Sequence, residues 1–146
     1  MEEHFDPADD GYPLTRARIV REGSSCTVIT YGAMVARSSE AAGELVGEGI
    51  EAEVLDLRSL SPLDTETIGA SVRRTGRAVI VHEAPRTLGI GAEVSARIME
   101  EYFDFLEAPV IRVTGYDTPY PPASLEERWF PSASRIAAAA RKVVGY

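Results

Sequence analysis

The residue types best suited to chemistry in this sequence crowd into one short stretch. His82-Glu83-Ala84-Pro85-Arg86 brings an imidazole, a carboxyl and a guanidinium close together, and Gly89-Ile90-Gly91 follows. Three uses suit such a stretch. His82 and Glu83 can be read as an acid/base pair. Arg86 with Gly89 and Gly91 at a helix start can hold an anion on backbone N–H groups. The whole segment can instead be a loop that meets a partner. Each use has a plainer rival. Neighbours on a strand point to opposite faces, so His82 and Glu83 are poorly placed to act together, and a histidine satisfied by hydrogen bonds is the better reading. Glycines at a helix start more often just permit a tight turn.

No other chemistry is legible. His4 and His82 are the only histidines and Cys26 the only cysteine, so no metal-ligand spacing exists. No nucleophile motif or phosphate-binding P-loop is present. Tyr31-Gly32-Ala33 falls at a strand-to-helix junction but lacks the second spaced glycine of a dinucleotide fingerprint. By itself the chain does not read as a complete active site.

Composition narrows the class. The chain has 146 residues, 45% hydrophobic and 26% charged, with a net charge of −8. That is the profile of one globular domain. The acidic balance argues against nucleic acid, and favours solubility or a basic partner. No apolar run approaches the roughly 18 residues of a membrane span. The N-terminal residues carry no signal-peptide pattern. A lone cysteine excludes an internal disulfide and suits a reducing compartment, so the expected location is cytoplasmic.

The elements that must position the central stretch follow from periodicity. Residues 1–11 are acidic and read as a mobile tail or linker remnant, leaving 12–146 as the domain. Residues 16–22 partly alternate, and their charges suit an edge strand. Cys26 to Tyr31 is a buried strand. Ala33 to Gly47 has helical spacing, with Gly49 as its stop. Ala52 to Leu57 is the next strand. Ser61-Pro62-Leu63-Asp64 opens a helix that runs to about Thr75, with Ser61 as cap, Pro62 at the first position, Asp64 completing an acidic capping box and Gly76 as stop. Ala78 to Val81 is continuously apolar, as in a parallel strand buried on both faces. A helix from about Ala92 to Phe105 places Val94, Ile98 and Tyr102 four apart, and Pro109 to Val113 is the last strand. Gly115 to Pro122, GYDTPYPP, is a proline-stiffened loop that offers Tyr116 and Tyr120 as contact faces, with Asp117 capping a turn. Trp129 reads as core, and a final helix covers about Ser134 to Val144.

Strands alternating with helices predict an α/β domain: three layers, α/β/α, around a five-stranded mixed sheet with the first strand antiparallel at an edge. In such sheets ligands and partners sit beyond the carboxyl ends of the strands, where the stretch from His82 to Gly91 would lie.

Four ordered motifs carry a family resemblance: TVITYGAMV, EAEVLDLRSLSPLD, VIVHEAP with GIGAE, and GYDTPYPP. Together they resemble the C-terminal domain of the beta subunit of thiamine-diphosphate-dependent 2-oxo acid dehydrogenases, the domain that also closes transketolases. HEAP with GYDTP looks closer to the branched-chain (2-oxoisovalerate) type than to the pyruvate type. The resemblance implies an assembly domain within an enzyme that decarboxylates a 2-oxo acid on thiamine diphosphate and magnesium. It implies three partners: an alpha subunit, a second beta subunit across a two-fold axis, and the small basic subunit-binding domain of a lipoyl acyltransferase. The cofactor would be held by the alpha subunit and by an N-terminal beta-subunit domain that this sequence lacks, so no catalytic, cofactor or metal residue carries over. Glu107, in LEAP, matches an acid associated with acyltransferase docking, and the carboxylate at Tyr146 is a second candidate. Two readings compete: a stand-alone anion-binding module using Gly89-Ile90-Gly91, and a self-contained enzyme using His82 and Glu83.

Overall fold

The computed structural model describes residues 13–146, so the acidic segment 1–11 lies outside the described residues. Five strands form one sheet: β1 (Arg18–Arg21), β2 (Cys26–Thr30), β3 (Ala52–Asp56), β4 (Ala78–Pro85) and β5 (Ile111–Gly115). Their spatial order is β1-β3-β2-β4-β5. β1 runs antiparallel to β3, and every other pairing is parallel. The expected edge strand is therefore antiparallel, but it pairs with β3 rather than with β2, its neighbour in sequence.

Among the described residues five α-helices complete the fold: α1 (Met34–Val46), α2 (Thr65–Thr75), α3 (Ile90–Tyr102), the short α4 (Glu126–Trp129) and α5 (Ala133–Val144). β2 is buried along its whole length, which explains its β-branched, two-faced apolar sequence. One face of the sheet packs Val28, Val54, Val79 and Val81 against Met34, Leu45, Ile136 and Val143 of α1 and α5. The other packs Ile29, Leu55 and Ile80 against Ile68, Val72, Val94 and Ile98 of α2 and α3. The three-layer arrangement is the expected one, and Trp129 is buried as expected.

Several boundaries differ from the sequence reading, each for a local reason. Ser61 does not cap α2. Asp64 does, accepting from the Thr67 amide at 3.0 Å and also from the Ala17 amide at 3.0 Å. One carboxylate thus closes a helix and ties down the approach to β1. α3 starts at Ile90, two residues before the expected Ala92, with Gly89 at the cap. It ends at Tyr102, and Phe103–Phe105 tightens into a 3₁₀ turn. β5 begins at Ile111 rather than Pro109; its ladder starts where Ile111 meets Val79, and a proline has no amide to donate. β4 runs past Val81 to Pro85, which pairs with Gly115.

The sheet also holds a buried polar pair that periodicity hides. Glu53 on β3 faces Thr27 on β2 and is fully buried. The Thr27 hydroxyl donates to Glu53 Oε1 at 3.1 Å and contacts the Thr75 hydroxyl at 2.9 Å. Arg74, at the end of α2, closes on the carboxylate from the solvent side, which supplies the charge partner a buried carboxylate needs.

Candidate functional site

The candidate residues divide between the two ends of β4. At the carboxyl end the strand carries His82 into the interior, with 0% exposure. Its Nδ1 lies 3.1 Å from the Ala84 carbonyl, a contact that requires Nδ1 to carry the proton. Nε2 is buried and has no hydrogen-bond partner among the described residues. The ring sits against the first turn of α3. A Cβ on Gly91 would lie 2.5 Å from Nε2, and one on Gly89 would lie 2.6 Å from Cε1. The imidazole occupies the space a side chain on Gly91 would need, and at Gly89 the Pro85 carbonyl, 2.4 Å from such a Cβ, adds to it. Burial lowers the His82 pKa, the Ala84 contact opposes this, and nearby Arg112 lowers it further. The neutral ring is therefore the resting form. Glu83 is not its partner.

The structure thus brings His82, Gly89 and Gly91 together, but as a packed joint between β4 and α3. The ring fills the place where an anion would have to approach these glycines. Arg86 lies apart, on the exposed loop that follows β4. Its Nη1 donates to the Arg112 carbonyl at 3.3 Å, and Arg112 Nη1 returns a bond to the Arg86 carbonyl at 3.2 Å. Asp117 clamps the same loop. Its carboxylate accepts from the Thr87 amide at 2.9 Å and from the Thr87 hydroxyl at 2.8 Å. Those bonds, the amide first, hold its carboxyl below the usual carboxylate range. The expected turn-capping role of Asp117 is real, but the turn it secures belongs to another loop.

Tyr116 and Tyr120 are both exposed, though each is oriented from within. The Arg135 guanidinium lies 4.7 Å from the Tyr116 ring centre and donates to the Thr114 carbonyl at 2.7 Å. Tyr120 stands edge-on to Trp129 at 5.2 Å and donates its hydroxyl to Glu126 at 2.7 Å. The loop is a stiff platform fastened to α4 and α5.

Glu107 lies by the amino end of β4. Its side chain is 60% exposed and pairs with Arg77 at 2.6 Å, and its amide donates to the Gly76 carbonyl at 2.8 Å. The Arg77 Nε also donates to the Val143 carbonyl at 3.1 Å. Arg77, which the sequence reading missed, so ties Glu107 to the end of α5, three residues before the exposed Tyr146. Nothing in its immediate sequence marks Arg77; only the β4 register places it there. Arg112 was missed for the same kind of reason: its place follows from the pairing of β5 with β4.

Among the described residues no catalytic constellation assembles. Among the described residues no cluster of histidine, cysteine and carboxylate side chains can hold a metal ion. With the α3 start filled by His82, the residues present do not fit a diphosphate and its magnesium.

The family described as transketolase, C-terminal domain, matches residues 15–136. The chain is 54% identical over 138 residues to the 2-oxoisovalerate dehydrogenase subunit beta of Pseudomonas aeruginosa, covering 92% of this chain and 38% of that protein. It is 48% identical over 133 residues to the pyruvate dehydrogenase E1 component subunit beta of Bacillus subtilis, covering 91% of this chain and 41% of that protein. A solved structure titled split gene transketolase, inactive beta4 tetramer, aligns with a TM-score of 0.83 at 33% identity, covering 99% of this chain and 46% of that one. The chain spans about two-fifths of the length of these two curated relatives. Fold, motifs and matched span together make this chain a member of the transketolase C-terminal domain family.

Proposed function

We propose that this chain serves as the C-terminal assembly domain of the beta subunit of a branched-chain 2-oxo acid dehydrogenase, working in the cytoplasm. The similarity over 92% of the chain to a 2-oxoisovalerate dehydrogenase beta subunit carries this reading. The pyruvate dehydrogenase relative, at 48% identity, stands somewhat further off. Thiamine diphosphate and magnesium would be held by the alpha subunit and by an N-terminal beta-subunit domain, outside residues 13–146. The domain's own part is to pair with a second beta subunit and to dock the basic subunit-binding domain of the lipoyl acyltransferase. Glu107 and Tyr146 suit the docking role: both are exposed, and Arg77 holds Glu107 against the last turn of α5. An acidic surface of net charge −8 would steer a basic domain and act mainly on its association rate.

Calorimetric titration of the chain with an acyltransferase subunit-binding domain, at low and high salt, tests this. Tight binding that weakens with salt is expected, with Glu107→Ala weakening it about tenfold at low salt. Absence of binding, or identical affinity and salt dependence in Glu107→Ala, would remove Glu107 from the docking site.

A further inference from the structure

β5 closes one side of the sheet, and among the described residues no strand lies beyond it. Which of its backbone groups face outward follows from the ladder. The Thr27 amide donates to the Arg77 carbonyl at 2.8 Å, so Arg77, Val79 and Val81 turn their backbone groups to β2. Ala78, Ile80 and His82 then turn theirs to β5. Ile80 stands opposite Arg112, and in a parallel ladder it bonds the residues on either side of Arg112, which are Ile111 and Val113. The outward carbonyls of β5 are therefore those of Arg112 and Thr114.

Both are occupied by arginine side chains from outside the strand. Arg86, on the loop after β4, donates to the Arg112 carbonyl at 3.3 Å, and Arg112 Nη1 fastens the Arg86 carbonyl in return at 3.2 Å. Arg135, in the first turn of α5, donates to the Thr114 carbonyl at 2.7 Å and to the Phe130 carbonyl at 3.3 Å. Thr114 is only 4% exposed, although it lies on an edge strand.

Left open, this edge would pair. Ile111, Val113 and Thr114 are β-branched, and Arg112 is the only charge on the strand. The opposite edge is defended differently: β1 carries an arginine at each end and shifts its register between Ile19 and Arg21. The outward groups of β5 are also self-complementary. Two copies set antiparallel about Val113 would place Arg112 of each against Thr114 of the other, so every outward carbonyl meets an outward amide and the arginines do not face each other. We infer that Arg86 and Arg135 are edge guards: they hold shut a latent pairing surface whose occupant is β5 of a second copy of this chain. Each guanidinium stands where the second strand would lie, so guarding and pairing exclude one another. The inference does not rest on the proposed beta-subunit role.

Sedimentation of the 146-residue chain over a range of concentrations, with circular dichroism and amide exchange of each variant, tests this. Arg86→Ala/Arg135→Ala should self-associate at about tenfold lower concentration than the unmodified chain, because the freed carbonyls gain amide partners. Exchange at Arg112 and Thr114 should slow as its concentration rises. Adding Arg112→Pro removes an outward amide and leaves the β4 ladder intact, so this triple variant should return to the behaviour of the unmodified chain. Arg86 is exposed, so Arg86→Ala alone keeps the fold and should shift association in the same direction, which decides the matter if the double variant unfolds. The inference is overturned if the folded guard variants associate no more than the unmodified chain, or if their association survives Arg112→Pro.

Discussion

At the scale of single residues, the joint between His82 and α3 is closely packed. Gly91 is set by contact rather than by backbone angle: a Cβ there would lie 2.5 Å from Nε2 and 2.7 Å from Cδ2 of the imidazole. Ring and sheet are both rigid, so neither gives way cheaply. Gly91→Ala should therefore destabilise by about 1–3 kcal/mol, the usual cost of overfilling a packed interior. Urea unfolding at neutral pH checks it, and an unchanged midpoint would mean that the ring swings aside. His82, Gly89 and Gly91 were visible in the sequence as a group. Their roles were not, because an imidazole against two glycines has the same sequence signature whether the ring contacts a ligand or fills a gap.

Elements were more legible than their ends. The apolar runs and the helical spacing of Val94, Ile98 and Tyr102 correctly give the type and order of the long elements, since burial dictates them. Ends depend on hydrogen bonds from remote segments. Ser61 stands where a cap is expected, yet Asp64 is chosen because it also bonds the Ala17 amide. Burial pushes the Asp64 carboxyl up, but bonds from Thr67 and Ala17 outweigh it and hold it below the usual range. Asp64→Ala should cost about 1–2 kcal/mol and raise amide exchange at Ala17 as well as in the first turn of α2. Exchange confined to α2 would show that the Ala17 bond contributes nothing. Glu53 was illegible for a related reason. A carboxyl inside the strand reads as a solvent-facing position until its neighbours Thr27 and Arg74 are known.

At the scale of the whole molecule, acid sensitivity collects several of these sites. His82 has its pKa lowered in the folded state, so the unfolded chain binds that proton more readily. Its contribution is complete above the ordinary imidazole value of 6.5 and is lost as pH falls below it. Asp64 and Asp117 have lowered carboxyl values. Their contributions are complete above the ordinary value of 3.8 and are lost only at lower pH. Thermal stability should therefore decline in two separate windows, and His82→Gln should flatten only the upper one. An unaltered upper window in that variant would assign it to other groups. The molecule's polarity runs along β4: the loop after Pro85 and the tyrosine platform stand at its carboxyl end, Glu107 and the end of α5 by its amino end.

Cys26 opens β2 and is fully buried, with its thiol pushed up to about 11 by burial, against an opposing effect of Arg77. Thiolate is the form that reacts with electrophiles, so the folded chain is shielded twice, by access and by protonation. Because the sequence holds no other cysteine, a thiol-specific alkylating reagent reports one event, exposure of the start of β2. The domain carries its own stopwatch for transient exposure of its middle, readable as a single mass increment with no label engineered in.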